Sequence, residues 1–271
     1  MRRTLAHLSD LHFGGSQTTP ERVQAIVRAL LIADVDHVVV TGDVTDGGRA
    51  HDLAAFHRTF APLLELGRLT VVPGNHDRLG DDAGASIMSG KRVDTIQIPG
   101  AFLIRVDSTG SHNRTSVLAG HGDVCERVLG EISAALEQAP AGVLVAMLLH
   151  HHPVFLPEET FLERLSSTFN LPFAAELTLG DEILRRALGR CDLILHGHRH
   201  IPSARILAPA GPRPLRIYNA GCTTARGGMN VFSHAAGVLD SEPRWLQVGP
   251  SDAPGFLEIP PYQSAEYRLV I

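Results

Sequence analysis

The chain has 271 residues, of which 44% are hydrophobic and 20% are charged, and its formal net charge is -5. This balance allows one large domain with a sizeable core, and it lacks the basic excess expected of a nucleic-acid scaffold. No apolar run approaches the roughly 20 residues that span a bilayer, and three cysteines without CxxC spacing favour free thiols and a cytoplasmic location.

The first half of the chain alternates strand-like apolar runs with amphipathic helices. The predicted elements are strands at 4–9, 37–41, 69–72, 101–106 and 143–149, and helices at 20–33, 50–66 and 123–138. In the helices, apolar residues recur on one face, and Pro20 suits a first helical turn. Asp123 and Glu126 have the spacing of a capping box at the start of the third helix.

The second half of the chain is richer in strands. A helix at 181–188 and a strand at 192–195 precede strand candidates at 204–207, 215–218, 235–239 and 266–271, which Gly and Pro separate. Alternating strands and helices followed by strands predict stacked sheets flanked by helices. We predict a single domain over 1–271, with an apolar insertion at about 154–180 and a strand-rich part from about 203.

Five polar segments each follow a predicted strand directly. They are SDLH at 9–12, GDVTD at 42–46, GNHD at 74–77, HHHP at 150–153 and GHRH at 197–200. Sites in open α/β sheets form outside the carboxyl ends of strands, so these loops can converge on one place. Each segment alone is also typical of a turn or a solvated strand end. Together they predict a metal site.

The side chains in these segments are carboxylates, imidazoles and an amide, with no thiolate. Such ligands suit Mn, Fe, Zn, Ni or Co. The D-x-H and H-x-H spacings place two ligands on the same side of an extended chain, because side chains alternate with period two. Both members of each pair can therefore face one metal cluster.

The order D-x-H, G-D, G-N-H-D, H, G-H-x-H resembles that of the calcineurin-like metallophosphoesterase superfamily over roughly residues 4–220. The resemblance implies an α/β fold, a four-layer α/β/β/α sandwich with two central mixed sheets. It also implies two divalent or trivalent metal ions bridged by Asp43. By this resemblance, the first metal is completed by Asp10, His12 and His200, and the second by Asn75, His151 and His198.

The choice of His151 depends on how three consecutive histidines are aligned with the family. The family pattern is H-x-P, which His151, His152 and Pro153 fit. We therefore expect His150 to point to the other face of the strand. The sequence leaves the choice between His150 and His151 open.

The resemblance implies hydrolysis of a phosphate ester by attack of a metal-bound hydroxide. His76 is at the position of a family histidine that contacts the phosphate and can protonate the leaving oxygen. Asp77 follows it, and we expect Asp77 to orient the imidazole, with a turn or helix-cap role as the alternative.

The motifs look most similar to those of bacterial cyclic-nucleotide and glycerophosphodiester phosphodiesterases, so we predict a phosphodiesterase acting on a small molecule. One alternative is a pyrophosphohydrolase of a nucleotide-linked lipid precursor. Another is a non-catalytic metal-binding regulator. The Phe-rich insertion at about 154–180 is interpreted either as a lid beside the metals or as a packed subdomain or homodimer contact.

Overall fold

Two mixed β-sheets of seven strands each lie at the centre of the described chain. The structure is a computed structural model that describes residues 1–16, 18–116, 118–154, 177–207, 213–248, 254–257, 260–262, 264–267 and 269. The strands are β1 Arg3–Leu8, β2 His37–Thr41, β3 Leu69–Val72, β4 Val93–Ile98, β5 Ala101–Val106, β6 Leu144–Leu148, β7 Leu193–His196, β8 Ser203–Leu207, β9 Leu215–Asn219, β10 Gly228–Ala235, β11 Val238–Leu239, β12 Arg244–Val248, β13 Pro254–Leu257 and β14 Ser264–Glu266. The helices are α1 Pro20–Ile32, α2 Ala50–Thr59, α3 Ala61–Glu65, α4 Gly84–Ile87, α5 Glu126–Glu137, α6 Gly180–Ala187 and α7 Thr223–Arg226, with 3₁₀ turns at His76–Arg78 and Ser111–Arg114.

Each sheet contains a parallel part that carries the polar segments. The first sheet has the order β13-β12-β10-β1-β2-β3, with β11 beside β10, and the second has the order β14-β8-β9-β7-β6-β5-β4. Strands β1, β2 and β3 are mutually parallel, as are β5, β6, β7 and β9. Their carboxyl ends therefore provide the loops on which a site can form.

The alternation of side chains along β6 shows how the layers are built. Val145 and Met147 pack into the core that the second sheet shares with α5 and α6. Leu144 and Ala146 point the other way, into the core between the two sheets. A third core joins the first sheet to α1 and α2. Both faces of each sheet are therefore covered. The layers run helix, sheet, sheet, helix, which confirms the predicted four-layer α/β/β/α fold.

Local chemistry explains where the predicted helices differ from the observed ones. The helix predicted at 50–66 is divided at Phe60, because Pro62 lacks the amide hydrogen that a continuous helix needs. The capping box predicted at Asp123 and Glu126 is wrong. Cys125 precedes the helix without a side-chain cap, and the amide of Asp123 donates instead to the carbonyl of Ser108 at 2.9 Å.

The sequence prediction missed strands β4, β10, β12 and β13. Strand β10 contains buried polar residues such as Asn230 and His234, and these obscure its apolar pattern. The strand predicted at 235–239 is instead the turn into β11, where Ala236 and Gly237 have φ of 49° and 78°. Most of the predicted insertion, residues 155–176, lies outside the described residues. No described helix is long and apolar enough to cross a bilayer.

His37 at the start of β2 gives the fold a pH dependence that is separate from the polar loops. Its side chain is buried, and Nε2 lies 2.8 Å from Thr70 Oγ1. Burial, and then the charge of Arg68, lowers the pKa of His37 to about 4. Its contribution to stability is therefore complete above its unfolded pKa of about 6.5 and is lost as the pH falls towards 4.

We expect His37→Gln to lose less stability than the wild type between pH 7 and pH 5. The difference should be on the order of 1–2 kcal/mol, because the substituted chain takes up one proton fewer on unfolding. Urea unfolding at the two pH values measures it, with the exposed His57→Gln as the control. Equal losses in all three chains would contradict the role of His37.

Candidate metal centre

The loops after β1 and β2 are joined by backbone hydrogen bonds beyond the strands themselves. The amide of Asp10 donates to the carbonyl oxygen of Gly42 at 3.1 Å. The amide of His12 donates to the backbone carbonyl oxygen of Asp43 at 2.9 Å. The carboxylates of Asp10 and Asp43 are thus held side by side at the carboxyl edge of the first sheet. Both residues are buried.

A first cluster of four side chains forms at this edge. Asp10, His12, Asp43 and His200 each offer one ligand atom, and these atoms lie within 4.8 Å of one another. His200 Nε2 is 3.2 Å from Asp10 Oδ1 and 3.1 Å from His12 Nε2. The structure therefore brings together the four residues proposed for the first metal.

A second cluster shares Asp43 with the first. His150 Nε2 lies 3.3 Å from Asp43 Oδ2 and 3.0 Å from Asn75 Oδ1. His198 Nδ1 lies 3.1 Å from the same Asn75 oxygen. Asp43 Oδ2 is also 4.0 Å from His12 Nε2 in the first cluster. One carboxylate thus lies between two groups of potential ligands, as a bridging ligand would.

We propose His150 rather than His151 as the ligand at the second cluster, where the structure places both side chains beside His198. His150 Nδ1 lies 2.8 Å from the carbonyl oxygen of Thr41, so it is the donor and leaves Nε2 free for a metal. A ring nitrogen of His151 lies within 4.8 Å of ring nitrogens of His150 and His198. Both ring nitrogens of His151, however, already have hydrogen-bond partners. They are Ser108 Oγ at 2.8 Å and the Gly120 carbonyl at 2.9 Å. This choice of ligand departs from the H-x-P pattern, which predicts His151.

The chemistry of the two clusters fits metal ions. The Nε2 atoms of His12 and His200 face each other at 3.1 Å, which requires a shared proton or a cation between them. Burial opposes ionisation of Asp43, but the charges of His150 and His76 outweigh it and hold its pKa well below the ordinary value. Burial also holds the pKa of His198 well below its ordinary value, so its imidazole is neutral, as a ligand must be.

Asp46 holds two histidines at the edge of the first cluster, a role that the sequence analysis did not assign. Its Oδ1 lies 3.1 Å from His12 Nδ1, which leaves His12 Nε2 directed at the cluster. Its carbonyl oxygen accepts a hydrogen bond from His76 Nδ1 at 2.8 Å. The signal was present in the sequence, since Asp46 ends the same GDVTD segment that contains Asp43.

Asp77 does not orient the His76 imidazole, and that prediction is wrong. Its buried carboxylate accepts hydrogen bonds from the amides of Val44, Thr45 and Gly74, at 3.1, 2.7 and 2.9 Å. The Thr45 hydroxyl donates a fourth at 2.8 Å. Asp77 therefore ties the loop after β3 to the loop after β2, which is the turn role that the sequence left as an alternative.

The backbone at the centre adopts conformations that ordinary residues avoid. Five of the proposed ligands have positive φ: Asp10 at 55°, His12 at 49°, Asp43 at 47°, His198 at 75° and His200 at 53°. Each such residue costs roughly 1–2 kcal/mol. Gly74 and Gly197 are required by close approach instead. An added Cβ would lie 2.2 Å from Asp43 Oδ1 at Gly74 and 1.8 Å from Ser9 Oγ at Gly197.

Comparison with known families agrees with this geometry. The sequence model of the calcineurin-like phosphoesterase family matches residues 3–202, which include all the proposed ligands. The chain belongs to this family. No curated protein matches its sequence.

Solved structures with the same fold have low sequence identity to this phosphoesterase. The purple acid phosphatase PPD1 from yellow lupin (Lupinus luteus) seeds has a TM-score of 0.59 and 11% identity, over 91% of this chain and 51% of that one. A dimetal phosphatase from Danio rerio has a TM-score of 0.56 and 12% identity, over 91% of this chain and 99% of that one. GAP50, the anchor in the inner membrane complex of Plasmodium, has a TM-score of 0.53 and 11% identity, over 97% of this chain and 90% of that one. This chain spans about half the length of the lupin protein.

Metal content distinguishes the two adjacent histidines. We expect His150→Ala to lose one of two bound metals, because Nε2 of His150 lies between Asp43 and Asn75. His151→Ala, the matched control, should keep both. Elemental analysis after loading with excess manganese and gel filtration measures the difference. The reverse result would restore the prediction from sequence.

Stability tests the role of Asp77. We expect Asp77→Ala to lower the free energy of unfolding by at least about 3 kcal/mol, because three buried amides and a hydroxyl lose their acceptor. Urea unfolding measures this loss. Wild-type stability combined with reduced turnover would mean that Asp77 acts on His76 instead.

Proposed function

We propose that the protein is a dinuclear metal-dependent phosphodiesterase. The observation that carries this proposal is the pair of ligand clusters that share Asp43. Beside the first cluster lies a pocket of about 250 Å³, whose lining includes His12, His76 and His200. A phosphate ester bound in this pocket lies next to both the metal ligands and a potential proton donor.

His76 is the proposed proton donor. Its Nδ1 is held by the carbonyl oxygen of Asp46, so Nε2 is the nitrogen left for the substrate. The carboxylate Oδ1 of Asp46 lies 3.8 Å from Nδ1 and stabilises the ring when it is protonated. The ring is thus oriented to give a proton to the leaving oxygen. Its amide donates to Asp43 Oδ1 at 2.9 Å, which fixes its position relative to the bridging carboxylate.

Two metal ions supply the activation of water and the neutralisation of phosphate charge in this proposal. Asp10, His12, Asp43 and His200 would hold one ion. Asp43, Asn75, His150 and His198 would hold the other. The identities of the two metals remain open among Mn, Fe, Zn, Ni and Co.

The lining of the pocket favours a diester over a monoester. Among the described residues it comprises His12, Gly15, Ser16, Thr18, Asp46, His76, His200, Cys222 and Thr224, without arginine or lysine. A monoester dianion would have no fixed side-chain cation beyond the metals and the histidines. The carboxylate of Asp46 further disfavours additional negative charge. The lid predicted from the Phe-rich insertion lies outside the described residues.

The alternative functions have less support. A metal-binding regulator does not need His76, yet this side chain is directed and held at the pocket. A pyrophosphohydrolase acting on a lipid precursor would need a basic helix at the membrane surface. The sequence of the insertion contains one basic residue, Arg164. A cytoplasmic location and a homodimer both remain proposals from the sequence.

Kinetics with paired substrates test the proposal. We expect the manganese-loaded protein to hydrolyse bis-p-nitrophenyl phosphate with a higher kcat/KM than p-nitrophenyl phosphate, which has the same leaving group. A higher kcat/KM for the monoester would overturn the assignment to diesters. No turnover of either ester would favour the regulator.

His76→Ala is the matched active-site variant. We expect turnover to fall by roughly 10²–10⁴, the usual range for loss of a general acid, while two metals stay bound. Turnover and elemental analysis are measured on the same preparation. Loss of a metal from His76→Ala would make His76 a ligand and remove the proposed proton donor.

A further inference from the structure

A second pocket, distinct from the one that His76 lines, lies beside the loop after β5. Its volume is about 310 Å³. Three arginines line it, Arg78, Arg92 and Arg114, together with Asp107, Thr109 and Ser111. None of these six residues belongs to the ligand clusters. We call this the arginine pocket.

Arg78 is a largely buried cation of the arginine pocket. Its side chain is 12% exposed, and it is 3.0 Å from Asp82 and 4.0 Å from Asp107 in ion pairs. Its buried Nε makes no well-aligned hydrogen bond to the described chain, despite the short distance to Asp82. A guanidinium has five donors in a fixed fork, so a buried one requires several acceptors. The carboxylates of Asp82 and Asp107 provide acceptors beside Arg78, and the guanidinium also lines the pocket.

Among the described residues, no carboxylate forms an ion pair with Arg92, the second cation of the pocket. Its Nε donates to the carbonyl oxygen of Asp107 at 3.0 Å, and Nη2 donates to that of Asp123 at 2.6 Å. These are backbone acceptors without a net charge. They position the guanidinium at the pocket without cancelling it.

The charge balance of the arginine pocket is positive. Arg114 is half exposed at the rim, where Nη2 lies 2.9 Å from Asp82 Oδ2. The lining contains three arginines and one carboxylate, Asp107, and Asp82 pairs with Arg78 and Arg114 from outside the lining. In a partly enclosed site this excess attracts an anion more strongly than it would in open solvent.

We propose that the arginine pocket binds an oxyanion, a phosphate or a carboxylate group. Such a group matches the planar fork of a guanidinium and supplies the negative charge that the lining lacks. Arg78 ends the same 3₁₀ turn that begins at His76, so the bound anion lies against the segment that carries the proposed proton donor. The anion comes either from a second acidic group on the substrate or from a separate molecule.

Titration with inorganic phosphate tests the binding site. We expect calorimetry on the manganese-loaded full chain to detect two phosphates, one at the metals and one in the arginine pocket. Arg114→Gln and Arg78→Gln should weaken the second by about tenfold or more, the usual effect of losing a charge-assisted contact. Arg127→Gln removes an exposed arginine that is paired with Glu131 outside the pocket, and it should bind like the wild type.

The outcomes of this titration are distinct. Absence of phosphate binding, or equal phosphate affinities in the wild type and Arg114→Gln at every detected site, would overturn the proposal. Because Arg114 is at the rim, this variant remains informative if Arg78→Gln fails to fold. Melting temperatures of all the variants establish which are folded.

A second measurement identifies the source of the anion, and this arm alone rests on the proposed function. It compares ethyl p-nitrophenyl phosphate with 2-carboxyethyl p-nitrophenyl phosphate. A tenfold lower kcat/KM of Arg114→Gln for the carboxylated ester alone assigns the pocket to the substrate. Unchanged values for both esters, with weakened phosphate binding, assign it to a separate anion. Absence of wild-type turnover would contradict the phosphodiesterase while leaving the phosphate titration valid.

Discussion

The buried carboxylate of Asp43 is the constraint on which the rest of the centre depends. It is 1% exposed and lies within ion-pair distance of His150 and His12. An isolated carboxylate is costly to bury, so the surrounding cations are a requirement and not an addition. Burial opposes protonation of His150, but the charge of Asp43 outweighs it and raises the pKa of His150 to about 9, which favours the protonated ring. A bound metal ion would take the place of that proton, because a ligating imidazole must be neutral.

The same constraint explains much of the surrounding architecture. Two parallel strands must end together for Asp10 and Asp43 to meet, and the loop after β3 must pass close enough to exclude any side chain at Gly74. Asp77 then fixes that loop through four hydrogen bonds. The carboxylate of Asp77, next to the proposed proton donor His76, thus stabilises the loops. The carbonyl oxygen of Asp46 orients the His76 ring instead.

The sequence predicted those features that depend on short-range patterns. Strands β2, β3 and β5 have the predicted bounds, because continuous apolar runs mark strands that are covered on both faces. The position of the polar segments after strands was enough to predict that they converge. All seven ligands proposed from the sequence lie in or beside the two clusters, with His151 next to His150.

The features that sequence missed depend on direction and on long-range pairing. Whether His150 or His151 faces the cluster is decided by a bend after β6 and by the carbonyl of Thr41, which is 109 residues away along the chain. Strand β10 is concealed in the sequence because its polar residues are buried between β1 and β12. No local pattern specifies either outcome.

Five of the proposed ligands have a left-handed backbone conformation, which lowers the stability of the chain at the positions that the centre requires. Each of those positions would be relieved of conformational energy by glycine, which removes the ligand at the same time. A laboratory selection for heat resistance alone would therefore enrich substitutions that dismantle the centre.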